Sequence, residues 1–188
     1  MLPSSPVKIV CLGSSAGGLH AIMEFFKAMT ADSGLAFVVI QHLQADKPSM
    51  TAHILSRLTI MPVSEAIDQE ALRANHVYTI EPNTQLTVVD GRFHVAIRSE
   101  TSAHHKPFDR FLKSLAINSG NRAMAVVLSG YDGDGSLGFS AIKAHGGTTF
   151  AQDHSAQVDE MPQHAMATGC VDHVLSPAQI AAYISVQN

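Results

Sequence analysis

The sequence predicts an α/β fold with three layers, doubly wound, in which a mainly parallel sheet carries an antiparallel hairpin. Short β-branched segments alternate with segments of helical period, which is the pattern of parallel strands joined by crossover helices. Three of these segments are almost entirely apolar, as expected of strands covered on both faces. With 188 residues and 46% hydrophobic content, the chain fits one domain spanning residues 1–188.

The strands and helices follow one another in the order that this fold requires. The predicted strands are Val7–Leu12, Leu35–Gln41, Ala123–Ser129 and the shorter Thr148–Ala151. After the first strand, apolar residues at helical spacing predict an amphipathic helix with the stripe Leu19, Ile22, Met23, Phe26 and Met29. Further helices are predicted over Pro107–Asn118, Ser136–His145 and Ser176–Ser185, the last after a Ser-Pro start signal.

The middle of the chain has a strand-like period. The segments HVYTI, TQLTVV and RFHVAI lie between Gln69 and Ile97, and Asp90-Gly91 separates the last two. An Asp-Gly pair favours a type I′ turn. We therefore expect an antiparallel hairpin attached to the otherwise parallel sheet. The polar segment Ser99–Lys106 shows no period and predicts a flexible loop.

Composition and charge argue against several classes of function. A net charge of −4, a pI near 6.2 and the lack of a lysine or arginine cluster disfavour binding to nucleic acid or to an anionic membrane. No apolar run reaches the roughly 18 residues of a membrane-spanning helix, and MLPSSP at the start lacks the features of a secretory signal. The distant Cys11 and Cys170 indicate a reducing compartment. We expect a cytoplasmic protein without a cofactor or metal.

Polar side chains follow three of the predicted strands. Ser14 and Ser15 follow the first, His42 follows the second, and Asp132 and Asp134 follow the third, within GYDGDG. Because the carboxyl ends of parallel strands meet at one edge of a sheet, and ligands bind there, these side chains are expected to converge. Serine, histidine and aspartate together can supply a nucleophile, a base and a group that orients the base.

The chemistry explains why these residue types are needed together. A serine hydroxyl is a poor nucleophile at neutral pH, so an imidazole must take its proton, and a carboxylate must hold that imidazole in one tautomer. Gly17 and Gly18, at the start of the first helix, keep side chains away and leave backbone N–H groups free for an oxyanion. The hypothesis that follows is a serine hydrolase.

Each of these residues alone has a simpler explanation. A serine just before a helix is most often an N-cap. The chain has eleven histidines, so His42 alone is more readily explained as a surface or packing residue. Aspartates among glycines are ordinary turn formers. The joint placement at three strand ends is what favours a site.

Two competing motifs are weaker. GSSAGG (Gly13–Gly18) precedes a helix, where it can bind an anion, but it lacks the G-x-G-x-x-G spacing of a dinucleotide loop and the lysine of a P-loop. The pair His104-His105 with Asp109 suggests a metal, yet it lacks the spacing of a metal site, and loop polarity explains it better.

Several segments follow the pattern of one known family. They are GSSAGG (Gly13–Gly18), in the place of a G-x-S-x-G-G nucleophile turn, VVIQH (Val38–His42), HKPFDRFLKSLA (His105–Ala116), VVLSGYDGDGSLG (Val126–Gly138), and GGTTFAQD with EMPQHAM (Gly146–Met166). Through them the chain, from Val7 to about Ile184, resembles the catalytic domain of the chemotaxis protein-glutamate methylesterase, CheB. IEPNTQL (Ile80–Leu86) is closer to variants found beside methyltransferase domains in hybrid sensory proteins.

The resemblance implies a role for each residue of the site. Ser15, the third residue of GSSAGG, would be the nucleophile, His42 the general base and Asp134 the residue that orients His42. Backbone amides near Ala16 and Tyr131 would form the oxyanion hole, and Met161 and Pro162 would form a wall of the site. The implied reaction is hydrolysis of γ-glutamyl methyl esters on the cytoplasmic helices of methylated chemoreceptors, which releases methanol. Deamidation of receptor glutamines is the usual companion activity.

Departures from the family pattern leave alternatives open. Ala16 stands where many members have threonine, Tyr131 where many have methionine or threonine, and Asp132 where glycine or serine is more frequent. Members are often preceded by a phosphoacceptor receiver domain, and since the first strand begins near Val7 we expect a standalone or hybrid-type variant without it. The alternatives are a catalytically inactive receptor-binding or scaffold module of the same fold, and a nucleotide-binding α/β module.

Overall fold

The computed structural model describes residues 7–42, 49–98 and 106–187. Its strands are β1 (Lys8–Ser14), β2 (Leu35–Gln41), β3 (Val63–Glu65), β4 (His76–Thr79), β5 (Thr84–Val89), β6 (Arg92–Ile97), β7 (Ala123–Val127), β8 (Thr148–Gln152) and β9 (His173–Leu175). Its helices are α1 (Gly18–Ala28), α2 (Thr51–Leu55), α3 (Pro107–Ser119), α4 (Ser136–Ala144), α5 (Glu160–Ala167) and α6 (Pro177–Val186). A 3-10 turn, Gly120–Arg122, connects α3 to β7.

Seven of these strands form one parallel sheet in the order β3-β4-β2-β1-β7-β8-β9. Every neighbouring pair in it runs parallel. The chain moves from β1 to β2 on one side and later adds β7 on the other side. The carboxyl ends of β1, β2 and β7 therefore lie side by side where the winding reverses, which is the usual place for a ligand site in such a sheet.

Helices cover both faces of the sheet. Successive side chains of a strand point to opposite faces, so β1 sends Val10 and Leu12 into one apolar core and Ile9 and Cys11 into another. The first core is closed by α1, α2 and α6, and the second by α3, α4, α5 and the β5–β6 hairpin. All four side chains are at most 2% exposed. Burial on both faces explains the apolar pattern that predicted the strand.

The predicted fold class is confirmed, and the predicted parallel strands and helices agree with the structure within two residues at each end. The strand Leu35–Gln41 has the predicted bounds. The Ser-Pro signal marks the start of α6, because the hydroxyl of Ser176 accepts from the amide of Gln179 in a capping box.

The hairpin prediction is right about the turn and wrong about the attachment. Asp90 and Gly91 have φ angles of 50° and 71°, as a type I′ turn requires, and β5 pairs antiparallel with β6. The two strands form a separate sheet because their apolar face packs on α3, where Ser114 and Asn118 accept hydrogen bonds from the amides of Val88 and Gly91. HVYTI instead supplies β4 of the parallel sheet.

The sequence pattern does not reveal four short elements, α2, β3, α5 and β9. They contain 5, 3, 8 and 3 residues, which is too few to show a hydrophobic period. The predicted flexible loop Ser99–Lys106 lies outside the described residues except for Lys106, which directly precedes α3.

Candidate active site

Three strand ends are held together at the carboxyl edge of the sheet. The β1–β2 register pairs Ser14 with Gln41, so Ser15 and His42 are the next residues along two neighbouring strands. The amide of His42 donates to the carbonyl oxygen of Ser14 at 3.1 Å. On the other side of β1, the amide of Ser15 donates to the carbonyl oxygen of Ser129, just after β7, at 3.0 Å.

His42 is bound by Asp134, in the loop before α4. Nε2 of His42 lies 2.7 Å from Oδ2 of Asp134, whose side chain is fully buried. The backbone amide of Phe108 donates to the same oxygen at 3.0 Å, and that of Asp109 donates to Oδ1 at 2.8 Å. Because an ionised carboxylate only accepts hydrogen bonds, Nε2 carries the hydrogen, and the ring is fixed in orientation and tautomer.

The carboxylate of Asp134 also caps α3. Pro107 begins this helix, and Lys106 at the N-cap position supplies no side-chain hydrogen bond. The first amides of a helix have no partner inside the helix and carry a partial positive charge. Asp134 satisfies two of them from a distant part of the chain. One buried carboxylate therefore fixes both the start of α3 and the ring of His42.

Two carboxylates determine the protonation of His42. Burial by itself lowers the pKa of His42, but the hydrogen bond and charge of Asp134 and the charge of Asp132 outweigh burial, so the net effect raises this pKa. The charge of Arg98 acts in the opposite direction. A general base must be neutral to accept a proton, so a raised pKa moves the onset of base catalysis to higher pH.

The two serines of the GSSAGG turn lie in different environments. Ser14 is 1% exposed, and within the described chain its Oγ atom has no hydrogen-bond partner. Ser15 is only partly buried. The interpretation of either serine as the N-cap of α1 is wrong, because the N-cap residue is Gly17, in the left-handed conformation with no side-chain hydrogen bond. A Cβ at Gly18 would lie 2.3 Å from that of Ser14, so this close approach requires glycine.

Two backbone amides, one directly after Ser15 and one directly after Gly130, have no hydrogen-bond partner among the described residues. The amide of Ser15 itself is bound to Ser129, and the amide of Gly18 donates to the carbonyl oxygen of Ser15 at 3.0 Å. Among the described residues, the amides of Ala16 and Tyr131 make no hydrogen bond within the protein. An oxyanion hole requires unpaired donors close to the nucleophile, and Gly130, which precedes Tyr131, packs directly against Ser15.

Ser129 and Gly130 hold the two loops of the site together, and the sequence reasoning missed both. The hydroxyl of Ser129 donates to the carbonyl oxygen of Ala16 at 2.7 Å. A Cβ at Gly130 would lie 2.8 Å from that of Ser15 and 2.3 Å from Sδ of Met161. A serine that acts through structural hydrogen bonds has no sequence signature, although a glycine directly after a buried strand is a signal of close packing.

The residues predicted to line the site differ in the exposure of their side chains. Met161 and Pro162, at the start of α5, are buried, and the amide of Met161 donates to the carbonyl oxygen of Gly130 at 3.0 Å. The loop beside Ser15 is thus packed against α5. Tyr131 is 56% exposed, so much of its side chain is accessible to a ligand.

Gly13, near the end of β1, is required by the ring of Phe108. A Cβ at residue 13 would lie 2.2 Å from two carbons of that ring, and the amide of Phe108 binds Asp134. We expect Gly13→Ala to lower the free energy of unfolding by about 1–3 kcal/mol, as overpacking does, and to lower activity by displacing α3. Urea unfolding followed by circular dichroism measures the first effect.

Gly133 provides the matched control for this substitution. A Cβ there would have its nearest neighbours on His164 at 3.5 Å, which is ordinary van der Waals contact. Gly133→Ala should therefore change the free energy of unfolding by less than about 0.5 kcal/mol. Equal stability of Gly13→Ala and Gly133→Ala would contradict the packing described for Phe108.

Two further observations concern the described ranges alone. They contain no group of three or more His, Cys, Asp or Glu side chains placed to hold a metal ion; His104 and His105 lie outside these ranges. None of the helices in residues 7–42, 49–98 and 106–187 has both the length and the apolarity needed to cross a membrane.

Comparisons with known proteins identify relatives along nearly the whole chain. Residues 10–184 match the family described as CheB methylesterase. Protein-glutamate methylesterase/protein-glutamine glutaminase 2 of Rhizobium johnstonii is 30% identical over 184 residues, which cover 95% of this chain and 50% of the relative. The corresponding protein of Bordetella parapertussis is 34% identical over 187 residues, 96% of this chain and 53% of the relative. The chain thus spans about half the length of these relatives.

A solved structure agrees with the family match. The crystal structure of the Thermotoga maritima CheB methylesterase catalytic domain superimposes with a TM-score of 0.88 at 26% identity. The superposition covers 98% of this chain and 100% of that one. Sequence match and fold therefore agree: the chain belongs to the CheB methylesterase family and spans its catalytic domain.

Proposed function

We propose that this chain is a serine esterase that hydrolyses γ-glutamyl methyl esters on chemoreceptors and releases methanol. The observation that carries the proposal is the placement of His42. Its ring is bound at 2.7 Å by the buried carboxylate of Asp134, and it follows β2 at the position next to Ser15 after β1. Relatives of about twice the length are named for this reaction, which supports the same assignment.

In the first half of the proposed reaction, Oγ of Ser15 attacks the ester carbonyl carbon while Nδ1 of His42 takes the hydroxyl proton. Nδ1 has this role because Nε2 already donates to Asp134. The carbonyl oxygen becomes an oxyanion, and the unpaired amides of Ala16 and Tyr131 are the candidates to bind it. When the tetrahedral intermediate collapses, the C–O bond to the methoxy group breaks and methanol leaves with the proton from His42.

In the second half, water repeats these steps on the acyl-enzyme. His42 accepts a proton from water as its oxygen attacks the acyl carbon, and then returns the proton to Oγ of Ser15 as the glutamate is released. Asp134 stays ionised throughout and stabilises the imidazolium that forms twice in each cycle. An amide substrate would follow the same route with ammonia as the leaving group, so we include deamidation of receptor glutamines in the proposal.

The substrate and its location follow from this assignment. A glutamyl ester on a receptor helix is presented by a large partner. The side chains of Tyr131 and Leu137, three residues before and three residues after Asp134, are 56% and 58% exposed and would offer apolar contact to it. The methylated helices of chemoreceptors are cytoplasmic, so the enzyme would act there. We propose that residues 1–188 form one catalytic domain with this activity.

Methanol release from membranes that contain methylated chemoreceptors tests the proposed function. Incubation with the protein should release methanol in proportion to enzyme concentration, while membranes with unmethylated receptors release none. Binding to the receptor without methanol release would instead indicate the inactive receptor-binding module. A nucleotide-induced rise in melting temperature without methanol release would indicate a nucleotide-binding module.

A further inference from the structure

The ring of His42 lies between two carboxylates. On one side, Nε2 is 2.7 Å from Oδ2 of Asp134. On the other side, Nδ1 is 3.4 Å from Oδ2 of Asp132. The two partners differ in burial, since the side chain of Asp134 is fully buried and that of Asp132 is 51% exposed. Asp132 thus approaches the ring nitrogen that faces away from the buried pair.

The backbone around Asp132 holds its carboxylate in this position. Asp132 has a φ of 70°, a left-handed conformation that aspartate and asparagine tolerate better than most residues. Its Oδ1 accepts from the amide of Asp134 at 2.6 Å. From α5, Nδ1 of His164 donates to its carbonyl oxygen at 2.8 Å, and Oε2 of Glu160 accepts from its amide at 3.4 Å. The amide and the carbonyl group of Asp132 are therefore both held by α5, and its carboxylate is held by the amide of Asp134.

The position of Asp132 favours a proton on Nδ1. When His42 is neutral, its one hydrogen is on Nε2, and the lone pair of Nδ1 faces the negative charge of Asp132. When Nδ1 is protonated, this repulsion becomes an attraction between the imidazolium and a second carboxylate. The same lone pair must accept the proton of Ser15 in the proposed reaction, so Asp132 opposes the form of His42 that acts as a base.

We propose that Asp132 is a positioning residue whose carboxylate favours a proton on Nδ1 of His42 and so raises the lowest pH at which the base becomes available. This inference rests on the proposed function, in which Nδ1 receives the proton of Ser15. Aspartate at residue 132 therefore restricts the esterase at acid pH without touching the ester.

The other charges around His42 agree with this direction. Among the described residues, the charged groups that act on it are Asp134 and Asp132, from the loop after β7, and Arg98, from the end of the hairpin. Burial and Arg98 lower the pKa of His42, whereas Asp134 and Asp132 raise it, and the net shift is upward. Removing the charge of Asp132 should therefore lower this pKa while the contact with Asp134 remains.

Asp132→Asn tests the inference with little change of shape. Asparagine tolerates the positive φ and keeps Oδ1 as the acceptor for the amide of Asp134. We expect the acidic limb of kcat/KM for methanol release to move to lower pH, because this limb reports the free enzyme. The variant should therefore exceed the parent in activity at pH values where His42 of the parent is protonated. The rate on the alkaline side should be retained.

NMR titration of His42 gives a readout that does not need turnover. The His42 imidazole resonance is the one missing from the His42→Gln protein, and its titration midpoint should move to lower pH in Asp132→Asn. Glu24→Gln is the matched control. Oε1 of Glu24 lies 3.4 Å from Nε2 of His20, on the exposed face of α1. The variant therefore removes a carboxylate at the same distance from a different imidazole. Glu24→Gln should change neither the His42 titration nor the pH profile.

The two readouts separate this inference from the proposed function. A lower His42 midpoint in Asp132→Asn, with no methanol release from either protein, would support the link between Asp132 and His42 and contradict the esterase assignment. An unchanged His42 midpoint in a folded Asp132→Asn protein would overturn the inference. If Asp132→Asn does not fold, Asp132→Gly serves instead, since glycine adopts the same φ freely, and the same downward shift is expected.

Discussion

Replacing Ser15 by alanine is expected to reduce methanol release from methylated receptors by a factor on the order of 10³ or more. The substitution removes the atom that forms the bond to the ester carbon. Of the two serines in this turn, only Ser15 is partly exposed, since Ser14 is buried. The fold should be retained, because Ser15 is bound through its amide and carbonyl groups, which alanine keeps. Initial rates of methanol release measure the loss, and circular dichroism verifies folding.

Ser14→Ala is the matched control, since it removes the same atom one residue earlier. The hydroxyl of Ser14 is buried, and no described group forms a hydrogen bond with it. An unsatisfied buried hydroxyl costs free energy, so its removal should leave the melting temperature unchanged or slightly higher. Methanol release should stay close to that of the parent. The reverse result, with activity lost in Ser14→Ala and kept in Ser15→Ala, would make Ser14 the nucleophile.

Asp134→Asn is expected to reduce both activity and stability. The rate should fall on the order of 10³-fold or more, because a neutral amide cannot stabilise the imidazolium of His42. The carboxylate also accepts from the amides of Phe108 and Asp109, and the NH₂ group of asparagine would face one of these donors. We expect the free energy of unfolding to fall by about 1–3 kcal/mol. Rates measured well below the melting temperature separate the two effects.

Asp109→Asn distinguishes contact with His42 from the loss of any buried carboxylate. Asp109 is 3% exposed, its Oδ1 accepts from the amide of Gly138 at 2.8 Å, and burial raises its pKa. Its side chain makes no described contact with His42, and its backbone amide remains in the variant. The rate should therefore stay within about tenfold of the parent. A loss equal to that of Asp134→Asn would show that the region responds to buried charge in general.

The double variant Ser15→Ala/Asp134→Asn tests whether the residues act as one unit. Members of one catalytic set give strongly non-additive losses, because removal of the nucleophile already abolishes the step that the others assist. The double variant should therefore release methanol at about the rate of Ser15→Ala alone. A rate lower by the product of the two single losses would mean that Asp134 acts independently of Ser15.

The parallel strands were predictable because burial on both faces leaves an almost uninterrupted apolar pattern. Cys11 and Val38, for example, are both fully buried between layers of helices. The polar residues that follow such strands then identify the edge of the sheet where a site can form. The hairpin turn was equally predictable, since Asp90-Gly91 specifies its own backbone conformation. The place where the hairpin docks was not, because it depends on contacts with α3, a helix later in the chain.

The support around the site could not be read from the sequence for a similar reason. Asp134 caps a helix that begins 27 residues earlier, at Pro107, and only the three-dimensional structure brings these two segments together. The hydroxyl of Ser129 donates to the carbonyl oxygen of Ala16 and accepts from the amide of Val158, two backbone groups in distant loops. The difference between Ser14 and Ser15 also depends on burial against α1, since both serines occupy the same turn.

Covalent labelling by an alkyl fluorophosphonate is the most direct test of the central claim, that His42 and Asp134 activate the hydroxyl of Ser15. An activated Oγ attacks phosphorus, the P–O bond forms and fluoride leaves, which adds a defined mass to one peptide. The proposed triad predicts a single adduct at Ser15 by peptide mass spectrometry, retained in Ser14→Ala, absent in Ser15→Ala and much slower in His42→Ala. An adduct at Ser14, or no adduct on folded protein at a pH where His42 is neutral, would contradict it.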